Sequence, residues 1–315
     1  MGNLEIKENN LLNCDKNELL SFYAEHQFST DTVQRFLDED FSSDSLFVKN
    51  ICAYDSNHIV GSLFIVGRLD NNLTFVCITC ILVDNHYRNR GIANSLIGFT
   101  AKKYDVLYLI TPVNQIIRIA KKENFNDMSE YQMWVNASKI KAKNSSTKMD
   151  IIKLDTDAAL FATKSEIIAK NAEKGMKIVR LICEENPDKT LIIGYYTFNR
   201  KHLRFLEIAY CSSIKEFSNC YYSAFKKIAT IEKIKYIICD GCFVDNVQKP
   251  TSVITNNKKT SSYGKIMFGL ITKTITFVSN RRLLLCNKTG LTKEIVYNFL
   301  SGEHMFLYND IRNDK

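Results

Sequence analysis

Proline is almost missing from this chain, with 3 in 315 residues, and glycine is sparse at 12. That scarcity excludes a collagen-like repeat or a Pro/Gly-rich linker protein. No run reaches the ~18 uninterrupted apolar residues of a bilayer-spanning helix. The best stretch, Ile266 to Val278, is broken by Lys273 and by Thr272, Thr274 and Thr276. The opening residues, Met1-Gly2-Asn3-Leu4-Glu5-Ile6, lack the basic-then-apolar pattern of a secretory signal and the Ser/Thr of a myristoylation site. The expectation is a cytoplasmic protein with no membrane insertion.

What is present is ordinary globular material: 45% hydrophobic and 24% charged residues, enough apolar content to exclude wholesale disorder. At roughly 100–200 residues per domain, the length predicts two domains. The charge is lopsided. Residues 1–150 carry 16 basic and 18 acidic side chains, whereas residues 151–315 carry 26 and 16. A net +10 half fits an anionic partner or a lysine-rich solvated surface.

Ten cysteines are too few for a disulfide scaffold of this length, and reduced thiols are expected. Zinc ribbons separate their CxxC pairs by roughly 15–20 residues, and Cys77/Cys80 and Cys239/Cys242 lie much further apart. Cys77 and Cys80 also sit in a β-branched run, where residues three apart face opposite sides of a sheet. No metal is expected.

Periodicity predicts helices over 16–26 and 30–40, the second capped from Ser29-Thr30-Asp31. Three β-rich runs follow, Leu46–Tyr54, His58–Arg68 and Leu73–Val83, separated by Asp55-Ser56-Asn57 and Asp70-Asn71-Asn72. Such separators make hairpins, so the three form an antiparallel meander. A helix from Gly91, a strand Val106–Ile110, a helix Val113–Glu123 and a strand Tyr131–Val135 complete a mixed α/β domain over 1–137. Residues 138–150 read as a polar linker. The second domain, 151–315, partly repeats the order. It has a helix Ala158–Lys174, strands Lys177–Glu184, Leu191–Asn199 and His202–Cys211, a helix Phe217–Glu232 and a strand Lys235–Cys239. A polar segment Pro250–Lys265, a helix Ile266–Val278, an extended Leu283–Cys286 and a helix Leu291–Leu300 follow.

The segment with the clearest chemistry is Ile81-Leu82-Val83-Asp84-Asn85-His86-Tyr87-Arg88-Asn89-Arg90-Gly91-Ile92-Ala93. A buried strand enters a basic turn and then a helix whose first N–H groups are unpaired. That is an anion site by geometry and by dipole. Gly91 lets a ligand approach the backbone closely, and Arg88 and Arg90 add positive charge, so a pyrophosphate is the natural guest. An exposed strand-to-helix turn has the same composition; the meander before the motif and the strand–helix–strand after it favour the binding reading.

This combination over residues 3–137 resembles the GNAT (GCN5-related) N-acetyltransferase superfamily, with Tyr87-Arg88-Asn89-Arg90-Gly91-Ile92 matching its acyl-CoA signature and Ala93 standing where a glycine is usual. The resemblance implies tandem GNAT-like domains, each with a mostly antiparallel central sheet whose strands splay, flanked by helices. It implies an acetyl-CoA-dependent N-acetyltransferase in which a primary amine attacks the thioester directly in a ternary complex. Backbone amides of Arg88, Asn89, Arg90, Gly91, Ile92 and Ala93 would hold the pyrophosphate. Leu82 and Val83 would pair with pantetheine, and Asn114 would face the cofactor arm. Asn124-Phe125 resembles the family's Gly-Phe, with Asn124 in the left-handed cap.

Two family features are absent. Ala120 stands where a tyrosine acid is frequent, and Phe75 to Thr79 holds no carboxylate base. The remaining candidates for acid/base work are Asp84, His86 and Tyr131, with Glu207 from the second half. No Arg-x-x-Gly-x-Gly follows Glu207, so the second half is expected to shape the acceptor site or to be structural. The acceptor expected is a small amine or amino sugar. Two other readings stand beside this one. The first is an acyl-CoA-binding regulator without turnover. The second is an RNA- or aminoacyl-tRNA-directed acetyltransferase using Lys249–Lys265 and Arg281-Arg282 against phosphates.

Overall fold

The computed structural model describes residues 4–11, 14–38, 46–70, 72–110, 113–129, 132–141, 147–150, 172, 175–183, 186–200, 202–240, 253–255, 262–279 and 283–290. The chain forms two compact units. The first is Met1–Met128 with Arg282–Gly290, and the second is Ser129–Arg281 with Leu291–Lys315. Among the described residues, no helix is long and apolar enough to cross a membrane.

The first unit opens with β1 (Glu5–Asn10), then α1 (Lys16–Glu25) and α2 (Thr30–Leu37). Asp15 caps α1 through the N–H groups of Asn17 and Glu18, and Ser29 caps α2 through Thr32 N–H. The meander is β2 (Leu46–Asp55), β3 (His58–Asp70) and β4 (Leu73–Val83), antiparallel throughout. Its first turn works as read, because Ser56 and Asn57 take φ of 51° and 72°, the left-handed pair that suits a two-residue hairpin. Then come α3 (Ile92–Lys103), β5 (Val106–Ile110), α4 (Asn114–Lys122) and β6 (Asn126–Ser129).

The polar strand β1 has no readable alternation. It is held by pairing with β2 and by Glu8, whose carboxylate meets Lys49 and Lys103, each at 2.8 Å, and accepts from Tyr104 Oη at 2.8 Å. Burial alone would raise the Glu8 pKa, but the hydrogen bonds from Lys103, Lys49 and Tyr104 outweigh it and hold it below the ordinary glutamate value. A folded pKa below the unfolded one gives stability that is present above the unfolded value and is lost as pH falls through the folded one. Glu8→Gln is therefore expected to flatten the acid limb of the stability profile below pH 4.5, measured by urea unfolding across pH. An unchanged limb would remove Glu8 from the account.

The sheet of the first unit runs β1-β2-β3-β4-β5-β15-β6, where β15 is Leu283–Asn287. The strand β7 (Gln132–Asn136), next in sequence after β6, lies instead in the sheet of the second unit. Each sheet thus takes a strand from a distant stretch of chain, which local patterning cannot show. In the first unit β15 pairs with β5 from Leu283↔Ile110 to Asn287↔Val106, and Leu284 and Cys286 enter the core with Leu107, Leu109, Ile117 and Phe125.

The second sheet runs β13-β14-β7-β12-β11-β10-β9-β8. Its strands include β8 (Thr147–Asp150), β9 (Lys177–Cys183), β10 (Asn186–Arg200), β11 (Leu203–Cys211), β12 (Tyr236–Asp240), β13 (Val253–Thr255) and β14 (Ile275–Ser279), with helices α5 (Ile214–Glu232) and α6 (Ser262–Thr272). Two sequence expectations need correction here. The helix read over Ile266–Val278 stops at Thr272 and becomes strand β14, because Lys273 and the alternating Ile275-Thr276-Phe277-Val278 favour an extended chain. The segment read as linker ends in β8, an edge strand held by backbone pairing to β9 that needs no apolar pattern. The helices read over Ala158–Lys174 and Leu291–Leu300 lie outside the described residues, apart from helical Ala172.

Candidate functional site

The site grows from a defect in β4. Opposite Leu63 of β3, strand β4 spends two residues, Cys80 and Ile81, between the pairs Phe64↔Thr79 and Ser62↔Leu82. Cys80 takes φ of +50°. Such a bulge bends and twists its strand. On the other edge, β4 and β5 pair in parallel from Phe75↔Val106 to Cys77↔Tyr108 and no further, although β4 continues to Val83 and β5 to Ile110. β4 stays paired to β3 as far as Gly61↔Val83. The two parallel strands therefore part beyond Cys77, and Thr79 to Asp84 are all half-buried along the opening. A backbone edge of this kind can accept an extended, amide-bearing ligand as an added strand.

The turn after β4 is built tightly. Asp84 donates its N–H to Val60 O at 3.0 Å and accepts His86 N–H at 2.7 Å, starting a single 3-10 turn over Asn85–Tyr87. Tyr87 Oη donates to Asp55 at 2.9 Å. Asn89 and Gly91 are left-handed at φ of 62° and 84° and flank Arg90. Gly91 caps α3 without a side-chain bond, and no acidic residue stands in the first turn. The first bond of the helix is Ser95 N–H to Gly91 O, 2.9 Å, so the N–H groups of Ile92, Ala93 and Asn94 have no acceptor within the helix. Arg88 Nε reaches Val83 O at 3.4 Å, and the Arg90 guanidinium lies 5.0 Å from the Tyr87 ring centroid. Arg88, Asn89, Arg90 and Gly91 are all exposed. A positive, donor-rich turn thus lies at the end of the strand opening.

Gly61 lets α3 sit where it does. A Cβ there would come 2.7 Å from Ile92 Cγ2 and 3.3 Å from Leu96 Cδ1. Gly61→Val is expected to lower stability by about 1–3 kcal/mol through overpacking and to weaken ligand binding by shifting the start of α3. Denaturant unfolding with a parallel binding titration checks both effects, and unchanged stability would contradict the close packing.

The other sequence-derived residues fall as follows. Asn114 is the exposed first residue of α4, on the β5 side of the opening. Asn124 is left-handed at φ of 63°, and Phe125 is buried in the core. Ala120 is fully buried. His86 is exposed on the turn, and Tyr131 lies outside the described residues. Glu207 is buried on β11 of the second unit, between Tyr196 and Ile238. Asp84 faces a group that sequence reading missed: His26 Nε2 lies 3.7 Å from Asp84 Oδ2, with His26 Nδ1 2.7 Å from Phe22 O. Because Nδ1 meets a carbonyl it carries hydrogen, and Nε2 faces a carboxylate. His26 thereby sets α1 against the carboxylate at the end of β4. Only the fold brings α1 to the end of β4, so no local signal announced His26.

In the second unit, β11 and β12 also pair in parallel, over Phe205–Glu207, but the helix that follows is closed. Ser213 caps α5 through Glu216 N–H at 3.3 Å, and Glu216 places a carboxylate in the first turn. That helix start repels anions where α3 attracts them. Among the described residues, no group of three or more His, Cys, Asp or Glu side chains could hold a metal ion.

At the level of sequence, no family model and no curated protein matches this chain. At the level of fold, solved structures do. A GCN5-related N-acetyltransferase from Anabaena variabilis ATCC 29413 superposes with a TM-score of 0.52 at 13% identity, covering 89% of this chain and 72% of that one. A conserved protein from Enterococcus faecalis V583, described as a probable N-acyltransferase, gives 0.53 at 10% identity, covering 94% of this chain and 74% of that one. Both likenesses run over the two sheets, and with the parted strands and the open helix start described above they show that the chain has the GNAT fold, built as two GNAT-like units in tandem.

Proposed function

We propose that the protein is an acyl-CoA-dependent N-acyltransferase that moves an acetyl group to a primary amine by direct attack in a ternary complex. The observation that carries this reading is the continuity of two features in the first unit. The parted edge of β4 ends on Asp84, and the uncapped, arginine-flanked start of α3 follows within eight residues. The edge at Leu82 and Val83 suits the amides of pantetheine. The N–H groups from Arg88 to Ala93 suit a pyrophosphate, and Asn114 offers an amide from the β5 side. The names of the fold neighbours agree with this assignment.

In the proposed step, the neutral amine nitrogen attacks the thioester carbon, the C–S bond breaks, and the thiolate of CoA takes up a proton. Cys80 is not the nucleophile, since burial pushes its thiol up to about 11 and keeps it protonated. Asp84, His86, Tyr131 and Glu207 remain the proposed candidates for proton transfer, and only a neutral amine attacks. Turnover is therefore expected to rise with pH through the controlling pKa; a flat kcat/KM profile would count against a single base. The proposed setting is the cytoplasm, where thiols stay reduced.

The test is thiol release from acetyl-CoA over a panel of small amines, amino sugars, peptides and aminoacyl-tRNA. Release with one class supports the transferase and names the acceptor. Binding without release across the panel supports the regulator. The RNA-directed reading rests on 249–265 and Arg281-Arg282, most of which lie outside the described residues.

A further inference from the structure

The bulge that opens the site is not self-supporting. A non-glycine residue in the left-handed region is disfavoured and persists only where its surroundings hold it. At Cys80 the holding group is Tyr23, a residue of α1 with no exposed surface. Tyr23 Oη donates to Cys80 O at 2.7 Å. It also lies 3.1 Å from Ser62 Oγ, and Ser62 Oγ is 2.8 Å from Asn50 Nδ2. A carbonyl only accepts, so the phenol hydrogen belongs to Cys80 O. The chain then runs in one direction: Asn50 N–H to Ser62 Oγ, Ser62 O–H to Tyr23 Oη, Tyr23 O–H to Cys80 O. Asn50 Nδ2 also donates to the carbonyl of Leu63 at 3.1 Å, and Leu63 is the residue opposite the bulge. Both strands of the defect are therefore held by one buried network, in which each bond polarises the next. Burial raises the Tyr23 pKa well above its ordinary value, so the phenol stays a donor.

The bulge decides what the open edge presents. Before it, Val76 and Ile78 pack into the core under α3; after it, Ile81 and Val83 do, while Cys80 and Leu82 pack toward α1 and α2. The extra residue thus switches the alternation, and with it which N–H and C=O groups point away from β3. The Cys80 carbonyl and the Ile81 N–H also share one rigid peptide plane, so the Tyr23 bond fixes the direction of that N–H.

We propose that Tyr23 is a positioning residue for acyl transfer: from the far side of β4 it sets the bulge, and so the backbone donors that meet the thioester. It touches no substrate. The proposal rests on the acyl-CoA reading above and goes beyond it by assigning the group that shapes the acyl end of the site.

Tyr23→Phe keeps the ring that packs against Phe22, Phe28 and Phe64 and removes only the hydroxyl. The measurement is the infrared carbonyl band of acetyl-CoA, labelled with 13C at the acetyl carbonyl, bound to the full-length protein. CoA affinity is taken on the same samples as a check of the fold and of the pyrophosphate end. In the wild type the band is expected below its frequency in water. In Tyr23→Phe it is expected to return at least half way, with CoA affinity nearly unchanged and turnover reduced on the order of 10²-fold, as for a misplaced reacting group. Adding Cys80→Gly to Tyr23→Phe should recover part of the shift, because glycine takes the left-handed conformation unaided. Ser62→Ala, which leaves the Tyr23–Cys80 bond in place, should give a smaller change and carries the test if Tyr23→Phe does not fold. A band unmoved by these changes overturns the proposal while leaving the cofactor reading intact. A wild type that binds no CoA overturns the cofactor reading and this proposal with it.

Discussion

Replacing Gly91 with glutamate is expected to weaken acetyl-CoA binding by at least about 100-fold. Two effects add. Gly91 sits at φ of 84°, where an L side chain costs roughly 1–2 kcal/mol. A Cβ there meets nothing within 4 Å, so the side chain is accommodated and brings a carboxylate to the start of α3 beside Arg88 and Arg90. Placing an anion there competes with charge-assisted bonds to the pyrophosphate, each worth about 1.5–3 kcal/mol. At about 1.4 kcal/mol per tenfold, the two together span two to three decades. Gly91→Ala separates them, since it carries only the backbone cost and should lose roughly tenfold. Calorimetric titration reads both variants. Unchanged affinity in Gly91→Glu would place the cofactor elsewhere.

The second large effect comes from far along the chain. Leu284 lies in β15, fully buried, opposite Leu109 of β5, and packs in the same core as Ile92, Leu96 and Ile97 of α3. Leu284→Asp leaves a carboxylate in that core without a designed partner, which costs several kcal/mol and rivals the whole stability of a domain. The expected outcome is loss of cooperative unfolding in the first unit together with loss of acetyl-CoA binding, although the change lies nearly 200 residues beyond Arg88–Ala93. Circular dichroism on heating and the binding titration report it. A variant that melts and binds like the wild type would contradict the assignment of β15 to the first sheet.

That second case also shows where local reasoning stops. The meander was legible because alternation and turn chemistry agree, as at Ser56 and Asn57. The apolar run Val106–Ile110 marks β5 to the residue. The polar strand β1 and the edge strand β8 carry no such pattern, being recruited by backbone pairing and by the ion pairs of Glu8. The exchange of β7 and β15 between sheets is a matter of partners, and one sequence does not name partners. The same division runs through the candidate site. Gly91 and its arginines were visible because an open helix start needs those residue types in that order. The bulge at Cys80 was hidden, since a cysteine is not a residue type that announces a left-handed backbone. Tyr23 and His26 were hidden too, because only the packed fold brings α1 to the end of β4.

The central claim is that one continuous surface of the first unit, from the β4 edge to the start of α3, receives acyl-CoA. Amide hydrogen exchange of the full-length protein with and without CoA tests it most directly. The account predicts new protection concentrated in residues 79–83 and 88–94, with little change at the capped start of α5 near residues 213–216. Protection absent from 79–83 and 88–94, or centred on the start of α5, would contradict it.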